Sequence, residues 1–271
     1  MIAFPNAKIN LGLNVLDKRA DGFHNIDTVF FPVDLCDVLE IIKTEDSKTS
    51  FNSSGLRITG DQEANLCMKA YHLLKDKFSL PDVKIHLHKV IPMGAGLGGG
   101  SSDAAFTLKL LNNLFDLKIK ESDLLKFASK LGADCAFFII NEPHAAFERG
   151  DKFKQMNIDL NTYQFVIIAP DIHVDTAFAY SKIIPKKKER HSSEIVKSER
   201  VEEWRYTLVN DFEEPIFGIY PELKNIKSAL YNLGATYASM SGSGSAVYGM
   251  FEKPIDLSAN FKDSFYWSSK I

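Results

Sequence analysis

The residues from Pro92 to Ser102 have the composition of a phosphate-binding loop. Five of the seven positions from Gly94 to Gly100 are glycine, which permits backbone conformations closed to other residues. Without side chains in the way, successive backbone N–H groups can converge on an anion, and a helix predicted from about Ser102 to Phe115 would add its N-terminal N–H groups. This pattern predicts a nucleotide-phosphate site made of Pro92, Met93, Gly94, Ala95, Gly96, Leu97, Gly98, Gly99, Gly100, Ser101 and Ser102.

Two better-known phosphate loops fit this segment less well. The Walker pattern ends in Gly-Lys-Ser/Thr, and no Gly-Lys pair occurs in the chain. The spacing of Gly94, Gly96 and Gly99 matches the dinucleotide fingerprint in form, but that fingerprint follows a buried parallel strand. The strand predicted before the loop, residues 83–88, alternates apolar with polar side chains and therefore has one exposed face. A plain tight turn would need only one or two glycines.

A lysine and an aspartate are candidates for acid–base chemistry. Residues 7–15 alternate apolar with polar side chains, which predicts a half-buried strand with Lys8 and Asn10 on one face. Asp134 follows a glycine that ends a predicted helix and precedes the apolar run 135–140, predicted as a short strand. A carboxylate there could accept a proton, and a nearby lysine would favour its ionised form. Taken alone, a solvated strand lysine and a turn aspartate explain both residues better.

Composition is ordinary for a globular protein and disfavours several classes of protein. The 271 residues carry a formal net charge of -3, which disfavours a nucleic-acid binder, since such proteins usually present a basic face. The three cysteines have no metal-site or redox spacing, and their odd number fits a reducing compartment. No apolar run reaches the roughly 18 residues needed to span a membrane, and the N-terminus lacks a signal-peptide pattern. We therefore expect a cytoplasmic protein with neither nucleic-acid nor membrane partners.

Periodicity along the chain predicts mixed strands and helices. Because the strands alternate instead of running apolar throughout, an α+β fold is favoured over a doubly wound parallel sheet. The charged stretch 185–200 predicts a solvated loop or helix face, and the polar stretch 44–55 predicts a loop or hairpin end. Predicted strands cover 28–33, 38–42, 83–88, 165–169 and 246–251, and predicted helices cover 65–78, 121–131, 202–210 and 223–233.

Three segments in order resemble the motifs of the GHMP kinases, the superfamily of galactokinase, homoserine kinase, mevalonate kinase and phosphomevalonate kinase. The glycine-rich loop resembles the second motif, residues 5–11 (Pro-Asn-Ala-Lys-Ile-Asn-Leu) the first, and residues 238–246 (Ala-Ser-Met-Ser-Gly-Ser-Gly-Ser-Ala) the third. Together they span nearly the whole chain, which is more specific than any one motif alone. The resemblance implies a two-domain GHMP-kinase-like fold, with an S5-like ATP-binding domain over residues 1–152 and a ferredoxin-like domain over 153–271.

Two further segments resemble the 4-diphosphocytidyl-2-C-methyl-D-erythritol kinases within that superfamily. They are residues 19–24 (Arg-Ala-Asp-Gly-Phe-His), followed by Asp27-Thr28, and residues 131–138 (Leu-Gly-Ala-Asp-Cys-Ala-Phe-Phe). This resemblance implies transfer of a phosphoryl group from ATP, with Mg²⁺, to the 2-hydroxyl of a cytidine diphosphate-linked methylerythritol. The chain departs from the family pattern in having Phe23 where Tyr is usual, and Cys135-Ala136 where Val-Pro is common.

The resemblance also implies roles for individual residues. It implies Asp134 as the base beside Lys8, and adenine contacts by Asn65 and Lys89. The substrate contacts that it implies are Asn10, Phe23, His24, Thr176 and Tyr180. An aromatic ring offers a stacking face to a pyrimidine, and an imidazole can hydrogen-bond to a base edge.

Several alternatives stay open at this point. A turn histidine would account for His24, and a core position on an amphipathic helix would account for Tyr180. The chain could be a GHMP-type kinase acting on mevalonate, homoserine or a sugar, although those substrates offer no base to stack. A non-catalytic nucleotide-binding module, or an oxidoreductase that holds a dinucleotide, are the alternatives from other classes.

Overall fold

A computed structural model of the chain describes residues 1–45 and 48–270. Helices make up 34% and strands 28% of it, which confirms the predicted α+β class. Across the described ranges, no helix is both long enough and apolar enough to cross a membrane.

The strands and helices follow one another in an irregular alternation. The strands are β1 (Ile2–Ala3), β2 (Asn6–Lys18), β3 (His24–Cys36), β4 (Val38–Lys43), β5 (Ser50–Gly55), β6 (Val83–Lys89), β7 (His144–Glu148), β8 (Lys152–Gln155), β9 (Gln164–Ala169), β10 (Tyr237–Met240), β11 (Val247–Phe251) and β12 (Phe265–Ser268). The helices are α1 (Leu66–Phe78), α2 (Gly99–Leu114), α3 (Glu121–Leu131), α4 (Cys135–Ile140), α5 (Thr176–Ser181), α6 (Ser192–Ser198), α7 (Val201–Thr207), α8 (Glu213–Ile219) and α9 (Pro221–Asn232), with 3₁₀ turns at Gln62–Ala64 and Ser258–Asn260.

The first of two compact units contains Met1–Ala7, Asp34–Pro92 and Gly98–Asn141. Its sheet has the strand order β1-β4-β6-β5, and helices α1 to α4 belong to the same unit. Burial alternates strictly along β6, where Ile85 is buried and His86 is exposed, as the period-two pattern predicted. The buried side of this strand ends at Lys89, directly before the glycine-rich loop.

The second unit contains Lys8–Val33, Met93–Leu97 and Glu142–Ile271. Most of β2 and β3 lies in it, in a sheet with the order β2-β3-β7-β8, and a second sheet has the order β10-β11-β9-β12. An apolar core joins strands β9, β10 and β11 to helices α8 and α9. Because Met240 pairs with Val247, the Gly/Ser-rich segment 241–246 is held at the end of the β10–β11 hairpin.

Four local predictions differ from the structure. Residues 135–140 form helix α4 instead of a strand, because a six-residue apolar run has no period that separates the two. Residues 50–55, predicted as loop, form edge strand β5 parallel to β6, while 46–47 lie outside the described residues. Strand β2 is buried on both faces, so its polar positions are inside. Part of the stretch 185–200 is helix α6, in which Ser192, Ile195 and Val196 are buried.

A buried charge cluster anchors the connection from β6 to α2 within the first unit. The ammonium of Lys89 donates to Asp37 and, at 2.7 Å, to Asp103, and all three side chains are at most 4% exposed. Asp37 also accepts hydrogen bonds from the backbone N–H groups of Val90 and Ile91. Burial raises the pKa of Asp103 to about 7; Lys89 opposes this shift, and the neighbouring Asp37 adds to it. Burial alone would lower the pKa of Lys89, but the two carboxylates raise it.

Replacing Asp37 is expected to lower the free energy of unfolding. Asp37→Ala leaves the backbone N–H groups of Val90 and Ile91 without this acceptor, which costs about 2–6 kcal/mol in total. Asp37→Asn keeps an acceptor oxygen and should therefore cost less. Urea denaturation of both variants, with the exposed Asp34→Ala as the matched control, measures the difference. Equal stability of Asp37→Ala and Asp34→Ala would show that the cluster does not anchor this connection.

Candidate active site

Lys8 lies inside the second unit, on β2, with 3% of its surface exposed. Its Nζ donates to Oδ1 of Asn10 at 2.6 Å and to the carbonyl oxygen of Gly96 at 2.9 Å. It also lies 5.1 Å from the centroid of the Phe30 ring, a cation–π contact. A buried ammonium must replace the water it loses, and these contacts do so. The predicted neighbourhood of Lys8 and Asn10 on one strand face is confirmed, but that face is buried.

The carbonyl oxygen of Gly96 joins all three motif segments. It accepts hydrogen bonds from Nζ of Lys8 and from Oγ of Ser241, both at 2.9 Å. The backbone adds two parallel links, from the N–H of Lys8 to Leu97 and from the N–H of Ala246 to Ala95. Residues 93–97 are therefore tied on one side to the first motif and on the other to the third.

Only glycine fits at position 96. Its φ of +77° lies in the left-handed region, and a Cβ there would come within 2.0 Å of the carbonyl oxygen of Ser241. Gly242, in the third motif segment, approaches from the other side, and a Cβ on it would lie 3.1 Å from Cα of Gly96. The two segments thus pack backbone against backbone, which explains glycine at both places.

The second part of the glycine-rich loop belongs to the first unit. Gly98 has a left-handed φ of +72° and precedes α2, which begins at Gly99, three residues before the predicted start. Ser102 is buried in the first turn of α2, and within the described part of the chain its Oγ has no hydrogen-bond partner. A buried hydroxyl without a partner beside a helix N-terminus is suited to a phosphate oxygen or a hydrated cation.

Asp134 precedes the first residue of α4, in the first unit, and is half-buried. It was expected to open a strand, whereas in the structure it occupies the N-cap position of a helix. A negative charge is favoured at this end of a helix, because the unpaired backbone N–H groups of the first turn point towards it. The predicted proximity of Asp134 to Lys8 stays a prediction.

The Arg19–His24 hairpin brings two of the predicted base contacts together in the second unit. The rings of His24 and Tyr180 are stacked, with centroids 4.9 Å apart and an interplanar angle of 16°. Burial, and secondarily the positive charge of Lys18, lowers the pKa of His24, which favours the neutral imidazole. Tyr180 also meets the edge of Phe212 at 4.9 Å. The rings of His24, in the hairpin, and Tyr180, on α5, therefore lie against each other, and the neutral imidazole of His24 can form hydrogen bonds there.

Phe23 lies differently from its neighbour His24. Its side chain is 56% exposed, and the guanidinium of Arg149 lies 5.2 Å from its ring centroid. Arg149 is itself bound to Asp151 at 2.8 Å. The predicted stacking of Phe23 on a base stays a prediction, and in this structure a cation occupies a position over the ring.

Three other predicted contact residues, Thr176, Asn65 and Lys89, form hydrogen bonds within the protein. The Thr176 hydroxyl lies 3.3 Å from that of Ser243, so α5 meets the third motif. Asn65 caps α1 by accepting from the N–H of Cys67 at 2.8 Å. Lys89 is only 2% exposed and binds two carboxylates, a geometry that favours a supporting role, while its adenine contact stays a prediction.

Three supporting residues escaped sequence reasoning. Asp37 belongs to no motif, and Asp103 directly follows the glycine-rich loop but had been given no role, because an aspartate by itself gives no sign of burial. Thr28 accepts from Nδ2 of Asn10 at 2.9 Å and donates to the carbonyl of Gly12. Thr28 had appeared only as part of a motif, although a hydroxyl on a strand next to two polar strand residues was a usable signal.

Comparison with known proteins agrees with these motifs. Two family models match, GHMP kinases N terminal domain over residues 65–142 and GHMP kinases C terminal over residues 196–261. A relative from Bacteroides fragilis, named 4-diphosphocytidyl-2-C-methyl-D-erythritol kinase, is 51% identical, and the match covers 100% of both chains. A relative of the same name from Azobacteroides pseudotrichonymphae is 49% identical over 98% of this chain and 99% of its own.

Solved structures show the same likeness. The crystal structure of a 4-(cytidine 5'-diphospho)-2C-methyl-D-erythritol kinase superposes with a TM-score of 0.82 at 30% identity, covering 99% of this chain and 98% of the other. The mevalonate kinase of Methanococcus jannaschii, 17% identical, shares the fold with a TM-score of 0.73 over 99% and 96% of the two chains. This chain belongs to the GHMP kinases and, within them, to the 4-diphosphocytidyl-2-C-methyl-D-erythritol kinase family.

Proposed function

We propose that this chain transfers the γ-phosphoryl group of ATP to the 2-hydroxyl of 4-diphosphocytidyl-2-C-methyl-D-erythritol. The observation that carries the proposal is the carbonyl of Gly96, at which the lysine of the first motif and the serine of the third meet the glycine-rich loop. Relatives named 4-diphosphocytidyl-2-C-methyl-D-erythritol kinase share about 50% sequence identity with this chain over its whole length, which supports the same substrate.

Phosphoryl transfer needs alignment and neutralisation of charge more than covalent help from the protein. In the proposed step, the substrate oxygen forms a bond to the γ-phosphorus while the bond from that phosphorus to the β–γ bridging oxygen breaks. Asp134 accepts the proton of the hydroxyl, which makes the oxygen a better nucleophile. Lys8 stabilises the negative charge on the transferring group, from a position that its hydrogen bonds to Asn10 and Gly96 define.

The nucleotide phosphates would lie along the glycine-rich loop. Left-handed glycines at 94, 96 and 98 shape its backbone, and the N-terminal N–H groups of α2 complete the site. The buried Ser102 hydroxyl lacks a partner within the described residues and therefore fits a magnesium–phosphate ligand, with Ser101 beside it. Bound Mg²⁺ would neutralise phosphate charge. Among the described residues, no cluster of three or more histidine, cysteine or acidic side chains could hold a metal by itself.

The cytidine would be read at the Arg19–His24 hairpin. His24 and Tyr180 lie together there, and the neutral imidazole can hydrogen-bond to a base edge. Because the two rings stack on each other, a base could enter between them only if one ring moved. Phe23 offers a second stacking face if the guanidinium of Arg149 moves away from its ring. Asn10 and Thr176 are the proposed contacts to the rest of the substrate.

Three further assignments are part of the proposal: the domain division, the adenine contacts and the location. We keep the division into an ATP-binding domain, residues 1–152, and a C-terminal domain, residues 153–271, as part of the proposal, because the matched family ranges 65–142 and 196–261 lie on either side of it. Asn65 and Lys89 remain proposed adenine contacts. A cytoplasmic location is likewise proposed on the nature of the substrates.

A substrate comparison tests the proposed function. ADP release is measured with Mg-ATP and the cytidine diphosphate-linked methylerythritol, beside mevalonate, homoserine and galactose. We expect turnover with the first substrate alone, because only it carries a base for the His24 hairpin. Turnover with another of these alcohols would retain the kinase assignment but remove His24 and Tyr180 as base contacts. Stabilisation of the protein against heat by NAD alone, without ATP turnover, would contradict both.

The role of Asp134 has a separate test. Asp134→Asn removes the proton acceptor but changes neither size nor helix capping greatly, so kcat should fall by roughly 10²–10⁴-fold. Affinity for ATP should stay within twofold, since the proposed phosphate contacts are made by the glycine-rich loop. The control is Asp76→Asn, a substitution of an exposed aspartate on α1. A kcat for Asp134→Asn equal to that of the control would show that another group takes the proton.

A further inference from the structure

A cleft of ≈ 620 Å³ lies in the first unit at the ends of three helices. The last turn of α1, the loop 115–120 and one face of α3 surround it. We call it the lysine cleft because five lysines line it: Lys77, Lys118, Lys120, Lys126 and Lys130. Its volume is within the range of small-molecule sites, about 300–1,000 Å³.

The charge of the lysine cleft is opposite to that of the chain. One acid, Asp123, lines it beside the five lysines, whereas the whole chain has a net charge of -3. Asp123 pairs with Lys126 at 2.8 Å, and the highly exposed Asp116 reaches Lys118 only at 3.7 Å. Within the described ranges, the other three lysines form no ion pair, although Lys120 lies close enough to Asp123 to contribute to the lowering of its pKa. The cleft therefore presents unneutralised positive charge.

The floor of the cleft is apolar. Phe78, 37% exposed, meets the edge of Phe127 with ring centroids 6.2 Å apart, and Leu117 and Ile119 lie in the loop beside them. Nζ of Lys130 lies 5.8 Å from the Phe127 centroid, so one cation is already placed next to an aromatic face. A ligand that satisfies both surfaces must combine an anion with an apolar body.

The loop that forms one wall is held in place. The side chain of Asn112 donates to the carbonyl of Ile119 at 3.2 Å and accepts from its N–H at 3.0 Å. The backbone of Asn112 also binds the N–H of Leu117 at 3.0 Å. Lys118 has a left-handed φ of +55°, which is uncommon for a residue with a long side chain. A wall fixed in this way loses little freedom when a ligand binds.

The lysine cleft is separate from the nucleotide loop. It lies at the C-terminal end of α2, whose 16 residues place it about 24 Å along the helix axis from Gly99. One face of α3, from Asp123 to Lys130, lines the same cleft, and the chain continues from the end of α3 to Asp134. A ligand in the cleft would thus contact the C-terminal end of the helix that follows the loop and the helix that precedes the proposed base.

We propose that the lysine cleft is a second ligand site, for a small organic phosphate whose phosphate binds the lysines and whose apolar body packs on Phe78 and Phe127. Lysine binds phosphate as a point charge, so the anion is specified by charge and the body by the two rings. The size of the cleft matches a single small molecule, and binding to a membrane surface is an outcome of the test.

The probe is 1-naphthyl phosphate, titrated by calorimetry into the full chain with the glycine-rich loop occupied by Mg²⁺ and a non-hydrolysable ATP analogue. We expect Lys120→Ala/Lys130→Ala to weaken binding at least tenfold. The matched control, Lys253→Ala/Lys262→Ala, removes two exposed lysines of the second unit and should bind within twofold of the unmodified chain. 1-Naphthol and inorganic phosphate should each bind at least tenfold more weakly than the probe, because each satisfies only one surface.

Three results would overturn the proposal. The first is equal probe affinity in the cleft variant and the unmodified chain. The second is an equal loss in both double variants, which would mean that affinity follows total charge only. The third is capture of the chain by phosphatidylglycerol vesicles without binding of the probe, which would assign the lysines to a lipid surface. Circular dichroism of both variants checks that the fold is intact.

Discussion

The hydrogen bonds to the carbonyl oxygen of Gly96 are the interaction on which the site depends. Lys8 and Ser241 both donate to this one atom, from segments more than two hundred residues apart in the sequence. The approach is possible because neither Gly96 nor Gly242 has a side chain. A carbonyl that turns towards these two donors also turns its neighbouring N–H groups outward, where a phosphate can accept from them. The shape of the glycine-rich loop, the position of Lys8 and the position of the third motif therefore depend on one another.

Lys8 and Lys89 are both buried, and different contacts replace the water that each ammonium loses. The ammonium of Lys8 contacts an amide oxygen, a carbonyl oxygen and an aromatic ring, and these contacts hold it beside the glycine-rich loop. Lys89 is bound by two carboxylates and is already neutralised. The carboxylate pair around Lys89 fits a lysine that supports the connection from β6 to α2.

Periodicity and glycine spacing predicted the glycine-rich loop and most element positions, because they report local backbone requirements. The three motifs followed from the resemblance to the GHMP kinases. It did not predict that 135–140 is a helix, since a short run buried on all sides has no polar face to show a period. Nor did it predict the burial of Lys8, or Asp37 as the partner of Lys89. Those facts depend on which distant segments meet, and neither spacing nor composition carries that information. For the same reason, the sequence could not predict the distance between residues proposed to act together, such as Lys8 and Asp134.

Substitution of Gly96 tests the central claim most directly. Gly96→Ala introduces a methyl group that would lie 2.0 Å from the Ser241 carbonyl oxygen, so the loop and the third motif must separate. We expect kcat for ADP release with the cytidine-bearing substrate to fall at least tenfold, while heat unfolding stays cooperative. Gly218→Ala, on α8 with no atom within 4 Å of the added methyl, should leave kcat unchanged. Retention of full kcat by Gly96→Ala would contradict the claim that this carbonyl organises the site.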